Sequence, residues 1–93
     1  MAGSSIAHIR NLVRVKNYVV SHHAADELED DNLTILDLES IVLNGQIVER
    51  QHDRKTNETK YLINGRTLEG CEAETVLKIG FTGALIFITV YVA

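Results

Sequence analysis

The sequence predicts an α+β domain with its helices in the first half and an antiparallel sheet in the second. Two observations carry that prediction. Apolar residues recur at three- and four-residue intervals as far as Val42, and the period shortens toward two after Asn44-Gly45. Beyond that point four β-prone stretches are separated by short turn-forming segments, the pattern of an antiparallel meander. Ninety-three residues make a single domain, 1–93, by the length prior. Residues 1–14 form a helical extension and 15–92 the core. Apolar residues are 45% of the chain and charged ones 24%, which is globular rather than disordered composition.

Met1 to Ser4 should be a loose start. Ser5 to Val13 reads as a short helix, because Ile6, Ile9 and Val13 fall on one stripe with Arg10 and Arg14 off it. That stripe is apolar area a partner could cover. Asn17 to Val20 is β-prone and brief. Ser21 is an N-cap for a helix over His22 to Asp30, and Asn32 can take the left-handed conformation that ends it. Thr34-Ile-Leu-Asp37 matches a capping box and opens a helix with a stripe of Ile35, Leu38, Ile41 and Val42. Asn44-Gly45 stops it.

The sheet half follows. Gln46 to His52 alternates weakly, and Asp53 to Glu58 is a polar loop or hairpin end. Thr59 to Thr67 is the next strand. Asn64-Gly65 is a strong hairpin signal, but a turn there would leave two very short halves, so a glycine inside a strand is preferred. Ala73 to Phe81 and Ala84 to Val92 complete the set. The last strand is apolar on both faces, with Ile86, Ile88 and Val90 on one and Leu85 and Phe87 on the other. It should be an interior strand covered on both sides.

The net charge of −4 is unevenly placed. Residues 1–25 hold three bases and no acid, and 26–39 hold seven acids and no base. RNA is disfavoured as a partner, since phosphate neutralisation needs a basic face. The acidic segment reads as a solvated helix face, or as a surface for a basic partner. The lone Cys71 excludes an internal disulfide and, with no signal peptide, points to the cytoplasm. The longest apolar run, Ala84 to Val92, is nine residues, which suits a strand and not a membrane span.

Several segments read in order resemble a family. Ser21-x-His23-Ala24 opens a helix, a capping box leads to Asn44-Gly45-Gln-Ile-Val-Glu49, and Tyr61-Leu-Ile-x-Gly65-Arg66-Thr67 precedes Ile86-Phe-Ile-Thr89-Val90-Tyr91. The set resembles a bacterial family of uncharacterised domains grouped by fold with the RelE/ParE-like toxins. The resemblance implies a βααβββ core, two helices packed on a four-stranded mainly antiparallel sheet, preceded here by an extra N-terminal helix. It implies a toxin-type, metal-independent endoribonuclease paired with an antitoxin, or a degenerate relative of one. Asp31-Asn32-Leu33 stands where such domains often carry Arg-Gly-Ile, and Glu74 or Thr75 stands where they often carry a strand histidine.

RNA cleavage by 2′-hydroxyl attack needs a base, an acid and a cation at the phosphorane. The candidate catalytic residues are His23, Arg66, Lys60 and Tyr91. His23 lies near a helix N-terminus, which favours a neutral, basic imidazole; it could equally fix the strand-to-helix corner. Arg66 can clamp a phosphate through its fork, or pair with Glu49 or Glu74. Alternation puts Lys60 and Arg66 on one strand face. Tyr91 is a proton carrier or a half-buried strand residue. Adjacent His22 and His23 cannot share a metal on a helix, and no metal-ligand spacing or phosphate loop occurs, so no metal and no cofactor is expected. The competing reading is a non-catalytic module whose partner is an antitoxin-like protein or a second copy. Any functional surface should lie on the open face of the sheet, with His23 at its edge.

Overall fold

A computed structural model describes residues 5–93. The loose start expected at Met1 to Ser4 lies outside them. The elements run α1 (Ile6–Arg14), β1 (Tyr18–Val20), α2 (His22–Asp30), α3 (Ile35–Leu43), β2 (Gln46–Asp53), β3 (Glu58–Arg66), β4 (Glu72–Ile79) and β5 (Leu85–Val92).

Local chemistry sets the helix ends. Ser5, Ser21 and Thr34 each accept a backbone N–H from the first turn, and Thr34 and Asp37 complete the capping box. Lys16 and Asn32 take left-handed backbone at φ 61 and 57 just past α1 and α2. Asn17 N–H reaches Leu12 O and Leu33 N–H reaches Leu28 O, so both helices end in Schellman turns.

The sheet has five strands, not four, in the order β1-β5-β4-β3-β2. The four sequential strands form the expected antiparallel meander. Tyr18–Val20 adds to them by pairing parallel with Leu85–Phe87. The main chain locks that addition: Leu85 N–H donates to Asn17 O and Ser21 N–H to Phe87 O. Tyr18 meets Phe87 edge-on at 5.4 Å.

All three helices pack on one face. Ile9, Leu12, Val13, Ala24, Leu28, Leu38, Ile41 and Val42 close over Tyr61, Ile63, Ala73, Leu77, Leu85, Phe87 and Val90. Two expectations are corrected here. The α1 stripe is not spare area, because Ile9 and Val13 are wholly buried in this core. The last strand is interior, but helices cover only one of its faces. Val90 also changes sides relative to strict alternation. Thr89 pairs with Val76 while Phe87 pairs with Leu77, which leaves Ile88 as the extra residue of a β-bulge. Val90 therefore returns to the helix face with Phe87.

Ile35 departs from its stripe and is exposed. Asp37 is held inward by Thr34 and by Leu68 N–H at 3.0 Å. Ile35 lies about 200° around the helix from it. Asn64-Gly65 does not turn: β3 runs straight through it. A Cβ on Gly65 would lie 2.1 Å from Ile41 O. The glycine is there because the backbone of α3 lies directly on the strand.

Candidate functional site

The face of the sheet away from the helices carries Lys60, Leu62, Asn64 and Arg66 on β3, and Glu72, Glu74, Val76 and Lys78 on β4. Ile86, Ile88 and Tyr91 continue it on β5, and Glu49 and Gln51 on β2. Leu62, Val76, Ile86 and Ile88 are half-buried, so a central apolar strip remains accessible to solvent. A shallow depression of about 220 Å³ lies on this face, lined by Gln51, Lys60, Leu62, Val76 and Tyr91 among others.

The polar groups around that strip are mostly paired to one another. Lys78 Nζ lies 2.8 Å from Glu58. Tyr91 donates to Glu74 at 2.6 Å, and the Asn64 amide donates to Glu72 at 2.9 Å and Glu74 at 3.2 Å. Gln51 donates to Glu49 at 2.7 Å. Lys60 stands directly across from Lys78 and makes no hydrogen bond or ion pair among the described residues.

His23 is 70% exposed on its side chain and lies 3.4 Å from Glu27. Glu27 holds the corner. Its Oε1 accepts from Val90 N–H at 2.9 Å and from the Thr89 hydroxyl. Beyond Phe87 no strand among the described residues lies beside the outer edge of β5. The Glu27 carboxylate and the Ser21 hydroxyl, which donates to Ile88 O, take up backbone groups that a missing strand would pair.

The four catalytic candidates do not converge. Lys60 and Arg66 do share a face, but six residues of strand separate them by about 20 Å. They cannot hold one phosphate. Arg66 pairs with neither Glu49 nor Glu74; its guanidinium donates to Gly70 O at 3.1 Å. Tyr91 is kept protonated: its hydrogen bond to Glu74, burial and the charges of Glu74 and Glu27 raise its pKa above the ordinary value. The end of the face holding His23 and Tyr91 is lined by the carboxylates of Glu27, Glu72 and Glu74. Arg66, across from Glu72, is the one candidate cation at this end, and the three carboxylates outnumber it.

The acids of residues 26–39 are not simply a solvated face. Glu27 caps the sheet edge. Asp37 bridges Thr34 and Leu68, and those hydrogen bonds, the Thr34 backbone first, hold its carboxyl below the usual range against burial. Glu39 is buried; burial pushes its pKa up, but Lys16 at 2.7 Å and the Tyr18 hydroxyl outweigh that and hold it low. Burial and Glu39 together push Tyr18 up to about 12. Arg10 of α1 is also spent inside the chain, donating to Gly45 O at 2.7 Å. The capping-box spacing gave Asp37 away in advance; for Glu27 the only signal was its position four residues after His23.

Two further surface features are a depression that adjoins the open face and an apolar patch on the helical side. The depression, of about 730 Å³, opens at the strand ends beside His8, Glu58, Lys78, Phe81 and Ile86. Leu36, Leu43 and Leu68 form an exposed apolar patch around Ser40 on the outer side of α3. His52 lies within β2, 3.0 Å from Asn57. Cys71 is exposed. Among the described residues no three potential metal ligands gather, and no helix is long and apolar enough to cross a membrane.

Residues 20–92 match the family described as Domain of unknown function (DUF4258), and the chain belongs to that family. The match runs from the end of β1 through β5 and so includes the whole open face. No curated protein and no solved structure matches the chain.

Proposed function

We propose that this chain is a RelE-like domain that works by macromolecular contact through the open face of its sheet, without catalysing a reaction itself. The observation that carries this reading is the make-up of that face. An apolar strip of Leu62, Val76, Ile86 and Ile88 is framed by polar side chains already fixed by their own hydrogen bonds. An apolar centre with a polar rim is the anatomy of a protein interface. Rim groups that are already ordered lose little further freedom on binding. The ordered segments quoted above support the RelE-like label.

The spacing of the candidate residues supports contact over catalysis. A toxin-type endoribonuclease needs its base, acid and cation around one phosphate. Here the cations lie about 20 Å apart along β3, and carboxylates crowd the His23 corner. Expression of wild type, His23→Ala and Arg66→Ala in a bacterial host is the direct test. The expected result is no growth arrest and no RNA cleavage from any of the three. Cleavage by the wild type that His23→Ala abolishes would overturn the reading.

A further inference from the structure

We infer that the occupant of the open face is a second copy of this chain, seated face to face about a two-fold axis that crosses the strands at Leu62 and Val76. The inference rests on the contact reading above and adds the partner's identity. Register supplies the argument. Lys60 pairs with Lys78, Leu62 with Val76 and Asn64 with Glu74, in three successive rows. Arg66 and Glu58 lie at the two ends of the same β3 face.

A two-fold along the middle row reverses the rows and keeps each strand over its own counterpart. Lys78 then lies over Glu74 of the second copy, and Arg66 over its Glu58. Leu62 and Val76 meet their own counterparts, and Ile86 meets Tyr91. Every one of these contacts joins opposite charges or apolar surfaces, and each charged one occurs twice. The alternative two-fold, along the strands between β3 and β4, would set Lys60 against Lys78 of the second copy. Charge therefore selects the first axis. Packed sheets keep their strands within about 30° of each other, which preserves this matching near the centre. Glu49 meets its own counterpart at the outer edge of β2, where water screens the repulsion.

The four strands of this face, about 4.8 Å apart and roughly 30 Å long, present roughly 500–600 Å² on each copy. Specific interfaces begin near 600 Å² per partner. The association is therefore weak and reversible, and each copy's charge of −4 weakens it further.

Sedimentation of the full chain from about 20 µM to about 1 mM spans the range for an interface of this size. Wild type should pass from monomer to dimer. Lys78→Glu and Glu74→Lys should each weaken the dimer about tenfold or more, because each sets like charges together twice. An equimolar mixture of the two variants should associate again, since both contacts then join opposite charges. Val76→Arg should abolish the dimer while leaving the Lys78–Glu58 pair intact, which guards against a folding artefact. A strictly monomeric wild type, or a dimer indifferent to all three substitutions, would overturn the inference. A monomer that still touches another protein through Val76 would overturn the second copy and leave the contact reading standing; RNA cleavage by the wild type would overturn the contact reading itself.

Discussion

Replacing Gly65 by alanine probes the close approach of α3 to β3. A methyl there would lie 2.1 Å from Ile41 O and 2.9 Å from its carbonyl carbon. Ordinary contact needs at least about 1 Å more than the shorter of these. α3 cannot simply tilt away. Asn44 accepts from Arg66 N–H at 2.8 Å and donates to Arg66 O at 3.1 Å, and Ser40 donates to the same carbonyl at 2.9 Å. Overpacking of this kind costs about 1–3 kcal/mol or more. Strain on the three hydrogen bonds adds about 1 kcal/mol or more. Removing a glycine from a strand returns about 0.5–1 kcal/mol. The net is a loss of about 1–3.5 kcal/mol, or roughly 5–25 °C in Tm for a domain of this size. Gly70 is the control. Its φ is 88° and an added methyl meets nothing within 4 Å. Gly70→Ala should cost only the left-handed backbone penalty of about 1–2 kcal/mol, roughly 5–10 °C. Thermal and urea unfolding measure both. If Gly65→Ala melts no lower than Gly70→Ala, the backbone contact between α3 and β3 is not what the glycine serves.

The remaining predictions concern the acids. Glu27→Ala should cost about 1–3 kcal/mol by leaving Val90 N–H without its acceptor, whereas Glu27→Gln keeps an acceptor oxygen and costs less; unchanged hydrogen exchange at Val90 in Glu27→Ala would refute the capping role. The Asp37 carboxyl is held low in the folded chain, so its stabilisation is present above the ordinary carboxylate range and is lost as pH falls through the lower folded value. Asp37→Asn should flatten that acid-side loss, and an unchanged slope of stability against pH would count against it. Glu39→Gln should bring Tyr18 down from about 12 but leave it above ordinary tyrosines, because burial is the larger cause; an NMR titration that finds Tyr18 unmoved would remove Glu39 from the explanation.

What could be read in the sequence was what is decided within a few residues. Ser21, Asn32, the Thr34–Asp37 box and Asn44-Gly45 end the helices through groups at most one turn away, so their spacing reveals them. The meander was legible because short turns fix antiparallel neighbours. What failed depends on residues far apart in the chain. Tyr18–Val20 announces itself as β-prone, but its parallel partner Leu85–Phe87 lies more than sixty positions on. The bulge at Ile88 shows only against its neighbour strand, and it alone moves Val90 to the buried side. Composition treats Glu27, Asp37 and Glu39 like their solvated neighbours, because their partners Val90, Leu68 and Lys16 come from other elements. Of the candidate residues, the shared strand face of Lys60 and Arg66 was legible from alternation. The six-residue spacing with the strand rise already sets them about 20 Å apart.

A photo-crosslinking residue placed at Val76, with another at Leu36 for comparison, tests the central claim most directly. Each full-length variant is irradiated in the cell and examined for discrete crosslinked species. The open-face account predicts a discrete product from Val76, at the centre of the apolar strip, and none from Leu36 on the outer side of α3. A product from Leu36 and none from Val76 would contradict it and move the contact to the helical layer.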